Sequence, residues 1–287
     1  MNTADHSPNP IIPQWLRKNA TLAGLYFILA VFLVWTLFPV YWVLLTALKT
    51  NDQLRVMPPL FFFEPTLANF ETILSGDFLR YFLNSLVISS STVVVGLLVG
   101  FPAAYTLARI RFRRSGQVDF WILSMRMAPP FAFLVPYYLT FRTLGLLDSY
   151  PALVIVNMTF VLPFIIWMLK SMIEDLPLEM EEAAMVDGCS RIQVIYRIVA
   201  PLMAPGVAAT AILAFVFSWN EFFFALILTG NRVKTVPVGM TSLIGLMGVD
   251  WPKMAAIGFL SIIPTVILSL LVQRWIVQGL TLGAVKA

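Results

Sequence analysis

Six apolar runs separated by polar stretches organise this 287-residue chain. They fall at about 22–48, 84–108, 120–141, 151–169, 207–228 and 255–273. Each reaches or approaches the ~20 residues that cross ~30 Å of hydrocarbon as a helix rising 1.5 Å per residue. The first, second, fourth and sixth hold no charged side chain, the third carries Arg126 and the fifth Glu221. A helix satisfies its own backbone hydrogen bonds, whereas a spanning barrel would show ~10-residue segments of alternating polarity. The pattern predicts an all-α membrane protein, a single six-span domain over 1–287. A tail is expected at 1–21, a polar loop at 170–206 and a second tail at 274–287.

Composition agrees. At 59% hydrophobic and 12% charged residues, the chain falls far from a soluble domain, where about a quarter of residues are charged. Basic residues orient the spans. Arg109, Arg111, Arg113 and Arg114 crowd the 2–3 connection and Arg17 and Lys18 precede span one, while the short 3–4 loop has only Arg142. Both termini and the 170–206 loop are therefore expected in the cytoplasm. The first apolar run is too long for a cleavable signal peptide. One cysteine, Cys189, excludes an intrachain disulfide, and one histidine makes a metal site a poor expectation. A pI near 9.3 reflects the positive-inside bias and attraction to anionic lipid, with no need of nucleic acid.

Within the spans, a few residues stand out. Gly96, Gly100 and Ala104 recur every four residues and allow a second helix to approach closely; a groove for a sliding solute is the alternative. Arg126 precedes Pro129-Pro130, which must interrupt the helical ladder. A charge beside a broken helix is a candidate functional site, and snorkelling to headgroups competes with that reading. Trp219, Asn220 and Glu221 form either a polar patch on a solute path or a structural hydrogen-bond network. Asn157 fits interhelical bonding, with the solute path as its second reading.

The 170–206 segment reads as two short helices and a turn. Pro177 suits a first helical turn, with Glu179, Glu181 and Glu182 near the positive end of the helix dipole. Ala183 and Ala184 favour helix without bulk. Asp187-Gly188 is a turn pair that can take positive φ, Ser190 with Gln193 is a capping box, and Pro201 and Pro205 should stop the second helix. From 170 to 201 there are six acidic and three basic residues. Anionic lipid repels such a loop, so a protein partner is its natural target.

The order Glu182-Ala183-Ala184, Gly188, then Ile198 and Pro201 resembles the cytoplasmic coupling loop of the membrane subunit in bacterial binding-protein-dependent ATP-binding cassette importers. Ala200 replaces the usual leucine. Residues 69–85 and the closing 273–287 resemble the carbohydrate branch, the maltose-type second permease. The resemblance implies a type I importer fold and a transport subunit rather than an enzyme. It also implies docking of Glu182, Ala183, Ala184, Asp187, Gly188, Arg191, Ile198 and Pro201 on an ATPase subunit. A C-terminal tail with Gly279, Gly283 and Lys286 would reach the ATPase pair. Arg126, Asn157, Trp219, Asn220 and Glu221 are the candidate substrate pathway. The implied partners are a homologous second permease in a heterodimer, two ATPase subunits that bind ATP and Mg, a solute-binding protein and membrane lipid. No cofactor is expected on this chain, which lacks G-x-x-x-x-G-K-[ST]. A sugar, polyol or sugar derivative is the implied cargo; a non-carbohydrate solute or an independent secondary transporter are the alternatives.

Overall fold

The computed structural model describes residues 14–110, 113–245 and 248–284, with side chains from 21 to 273. Its helices are α1 (Gln14–Ala47), α2 (Asn51–Arg55), α3 (Ala68–Ser75), α4 (Phe78–Arg109), α5 (Ser115–Met127), α6 (Pro130–Thr143) and α7 (Tyr150–Glu174). After them come α8 (Glu179–Val186), α9 (Arg191–Val194), α10 (Ala200–Leu202), α11 (Ala204–Trp219), α12 (Phe223–Leu228), α13 (Val236–Met240) and α14 (Trp251–Ala284). A two-stranded antiparallel hairpin, β1 (Ile244–Gly245) and β2 (Gly248–Val249), pairs Ile244 with Val249.

Four helices are long and apolar enough to cross a membrane, and two bent pairs bring the count of candidate spans to six. The expected 120–141 span is two helices, α5 and α6, at 90°. The reason is local. A residue before proline is pushed out of the helical region, and both Ala128 (ψ 133°) and Pro129 (ψ 126°) are extended. The expected 207–228 span is also divided, into α11 and α12, with Asn220, Glu221 and Phe222 between them. At the two ends the helices outrun the expected spans. α1 begins at Gln14 and α14 runs on to Ala284, through the region expected to be a tail.

α4 and α7 form the central pair. A Cβ on Gly96 would stand 2.6 Å from Ile165 Cδ1, and one on Gly100 2.7 Å from Ile165 Cγ2. The small-residue row thus serves helix packing inside this chain, and Ile165 is fully buried in the gap it leaves. Thr92 bonds back to the carbonyl of Ile88, as expected of a helical threonine, but the buried Ser89 hydroxyl has no partner. α1 shows the opposite extreme. It leans on α14 and leaves its apolar side chains outward, Trp35 being 81% exposed. Lipid or protein must cover such a surface.

Polar anchors close the end opposite α8. Asn84 accepts from the Tyr150 hydroxyl (2.6 Å) and donates to the Lys234 carbonyl (2.9 Å), while Ser85 Oγ accepts from the Val236 N–H (2.8 Å). Asp148, at φ 55°, accepts from the Arg232 and Val233 N–H groups at 3.0 Å each. Burial pushes its carboxyl up, but the backbone N–H groups of residues 230–233 outweigh this and hold it below the usual range.

The α4–α7 contact predicts an asymmetry between glycines. Gly100→Val should destabilise the protein by about 1–3 kcal/mol through overpacking. Gly24→Ala, where nothing lies within 4 Å of the added Cβ, should leave the thermal midpoint in detergent unchanged. Equal midpoints for both variants would contradict the packing role.

Candidate functional site: a docking hairpin and a broken-helix cavity

The polar segment between α7 and α11 folds back as a helical hairpin. α8 starts at Glu179, two residues after Pro177, so Pro177 precedes the first helical turn expected to hold it. Leu178 is its cap, and the Leu178 carbonyl accepts from the Glu181 and Glu182 N–H groups at 3.0 and 3.1 Å. Gly188 takes φ 91°, the left-handed value expected of the turn. The Ser190–Gln193 capping box is complete in both directions, at 3.3 and 2.7 Å. Pro201 does not stop the second helix. A π-helical turn, Ile195–Val199, carries the chain into α10, with the Ala200 N–H bonded to the Ile195 carbonyl. The turn comes at Met203, and the helical segments on its two sides differ by 79°.

One face of the hairpin is tied down. Glu181 is 3% exposed and receives the Tyr105 hydroxyl at 2.6 Å and Arg109 Nε at 2.7 Å. Arg109 Nη2 also reaches the Leu176 carbonyl at 2.8 Å. Charge-assisted bonds of this length in a buried setting hold the hairpin against the end of α4. Ala184 turns inward beside Glu181, and Val194 and Val199 are buried in the same cluster as Leu169 and Ile173 of α7. Ile198 packs at its edge.

The other face is open. Glu182, Ala183, Asp187, Gly188, Arg191 and Pro201 are exposed, and Val186 is 87% exposed. Adjacent glutamates therefore have different surroundings: Glu181 is an internal anchor and Glu182 is free for an outside contact. Of the two signature alanines, Ala183 faces out and Ala184 faces the core. Sequence reading placed Glu181 only at the helix dipole. The signal that could have found its partner was Arg109, four residues from Tyr105 and therefore on the same face at the end of α4.

The candidate pathway residues divide between two cavities. Arg126, Asn157 and Glu221 line one of about 240 Å³, walled by Phe160, Phe217 and Phe224. Glu221 Oε1 and Oε2 accept the N–H groups of Phe224 (2.8 Å) and Ala225 (3.0 Å), so it caps the helix that resumes after the break. That satisfies two of the donors every helix start leaves open. Asn157, buried, donates to the Leu153 carbonyl at 2.9 Å. The Arg126 guanidinium lies 4.8 Å from the ring centre of Phe164 and 5.4 Å from that of Phe217. Trp219 and Asn220 face a second cavity of about 340 Å³, with Val236, Ser261 and Thr265. Trp219 is 4% exposed and packs on Phe215 and Phe82, which is a core position rather than a membrane-surface belt. Gly279 and Gly283 lie on α14, and Lys286 lies outside the described residues.

Residues 96–281 match a family model described as the inner membrane component of binding-protein-dependent transport systems. The chain belongs to this family. It is thus a multi-pass inner-membrane permease, a transport subunit and not an enzyme. The permease is 41% identical over 251 residues to a probable ABC transporter permease protein, y4oR, of Sinorhizobium fredii, covering 87% of this chain and 90% of the relative. It is 38% identical to the sulfoquinovosyl glycerol transport system permease protein SmoH of Agrobacterium fabrum (90% and 91% covered). Against the trehalose/maltose transport system permease protein MalG of Thermococcus litoralis it is 37% identical (87% and 91%). Among solved structures, a bacterial ABC transporter involved in import of the acidic polysaccharide alginate aligns with a TM-score of 0.70 at 22% identity. That alignment covers 93% of this chain and all of the other, and it establishes a common fold. α7, the hairpin and α4 from Gly96 onward lie within the family match.

The two glutamates separate in a stability measurement. Removing one partner of a buried ion pair costs about 3–5 kcal/mol, so Glu181→Ala should melt far below the parent. Glu182→Ala, an exposed change, should stay within about 0.5 kcal/mol. Comparable losses for both would refute the division of roles.

Proposed function

We propose that the permease works in an ATP-driven importer that moves a sugar, polyol or sugar derivative, delivered by a periplasmic or extracellular solute-binding protein, across the inner membrane. Support for the cargo comes from relatives at 38% and 37% identity named for sulfoquinovosyl glycerol and trehalose/maltose transport. Both termini and the hairpin face the cytoplasm, in keeping with the arginines that follow α4. One copy of this chain pairs with a related permease and two ATPase subunits, which bind ATP and Mg.

The observation that carries this reading is the two-faced hairpin. Its open face presents an apolar tip at Val186 beside Glu182 and Asp187 on an acidic segment, a surface suited to a protein cleft and not to anionic lipid. Glu182, Ala183, Asp187, Gly188 and Arg191 make the ATPase contact. Ala184, Ile198 and Pro201 shape the hairpin that carries it. The α14 extension with Gly279 and Gly283, followed by Lys286, approaches the ATPase pair. Closure of the ATPases pushes on the hairpin, and the Glu181–Arg109 pair passes that motion to α4. Arg126, Asn157 and Glu221 line the solute path; Trp219 and Asn220 border it.

Reconstituted complex tests this. Sugar-loaded binding protein should stimulate ATP hydrolysis and uptake in the parent. Gly188→Val forces a branched side chain into a left-handed turn, at a cost of about 1–2 kcal/mol. It should cut uptake at least about tenfold while basal hydrolysis persists. Normal sugar uptake by this variant, or no stimulation of the parent by any sugar, would overturn the reading.

A further inference from the structure

The cavity at the α5–α6 break contains two ionisable groups of opposite sign that leave each other alone. Among the described residues no ion pair joins Arg126 to Glu221. Their commitments differ. Glu221 has each carboxylate oxygen on a backbone N–H at the start of α12, so its charge is met by the open donors of that helix. Asn157 spends a donor on the Leu153 carbonyl and keeps its own side-chain oxygen. Among the described residues, Arg126 makes ring contacts and no hydrogen bond or ion pair. Phe164 and Phe217 hold the guanidinium by its cationic faces, a contact that orients the group without consuming its five N–H donors.

What remains in the cavity is a guanidinium with no hydrogen bond or ion pair among the described residues, a surplus of donors and an aromatic wall. Arg126 is the seventh residue of the apolar run that begins at Phe120, roughly 9 Å into it at 1.5 Å per residue. An unmatched charge at such depth is costly. A neutral solute would leave it unmatched; an acidic one would neutralise it and take two parallel N–H bonds from the planar fork.

From this we infer that the cavity is a subsite for a sugar bearing an acidic substituent, a carboxylate or sulfonate received by Arg126. Asn157 takes a hydroxyl, and the C–H face of the ring lies against Phe160, Phe217 and Phe224. The inference rests on the solute-path reading above and narrows its cargo.

The test uses the full complex in vesicles of phosphatidylcholine alone, so that no anionic headgroup competes for the guanidinium. Matched probes are a neutral glucoside, its uronic acid and its 6-sulfonate, each scored by uptake and by stimulated ATP hydrolysis. The acidic probes should be carried. Arg126→Gln should lower their uptake about tenfold or more, with assembly and thermal midpoint unchanged, and Arg126→Lys should recover part of the loss. Transport of the neutral probe with refusal of both acidic ones would overturn the inference while leaving the sugar importer standing. So would an Arg126→Gln variant that affects neutral and acidic probes alike, affects neither, or fails to assemble. If no probe of either kind moves, the sugar reading falls and this inference falls with it.

Discussion

The close approach of α4 and α7 is the contact on which the rest of the permease depends. Two glycines one helical turn apart let the backbone of α4 settle over Ile165, at distances that a single added carbon would violate. Inside lipid there is no hydrophobic drive to hold helices together, and packing of this kind takes its place. The pair then organises both ends of the molecule. At one end Asn84 of α4 and Tyr150 of α7 meet and hold the loop that leads to α13. At the other, Tyr105 and Arg109 of α4 hold Glu181 of the hairpin that follows α7. A central helix pair with a polar clasp at each end has the mechanical form of a lever. Displacement of the hairpin has a short, buried and ionic route into α4.

Against this stiff axis, the breaks in the other spans are compensated one by one. Free backbone groups at membrane depth persist only where protein or water satisfies them. The α11–α12 break is capped by Glu221 and the α5–α6 break opens with prolines that have no N–H to satisfy. Both breaks border the same cavity, which is why a charged residue from each span lines it. The charged side chains of spans three and five are thus linked to the irregular backbone, one as its cap and the other as its neighbour.

Much of this was legible in the amino-acid order because its cause is local. Pro129-Pro130 announces the break in span three, Asp187-Gly188 the positive-φ turn, Ser190 and Gln193 the cap, and Gly96 with Gly100 the close helix contact. What could not be read depends on partners distant in sequence. Glu181 and Glu182 are indistinguishable as neighbouring letters, and only the arrival of Arg109, 72 positions away, makes the first an anchor. Trp219, Asn220 and Glu221 look like one cluster, yet the interruption of the helix turns Glu221 to one cavity and Trp219 and Asn220 to another. The role of Pro201 was obscured for a different reason: a π turn precedes it and the chain stays helical through Leu202, so the expected stop moves to Met203.

The central claim is that the hairpin and α4 move as one body. Spin labels at Val186 on the hairpin and Leu98 on α4, both exposed, report it directly in a complex whose Cys189 has been replaced by serine. The account predicts the same narrow inter-label distance with and without ATP trapped in the ATPase subunits. A shift of several ångströms on ATP binding, with Glu181 and Arg109 intact, would contradict it.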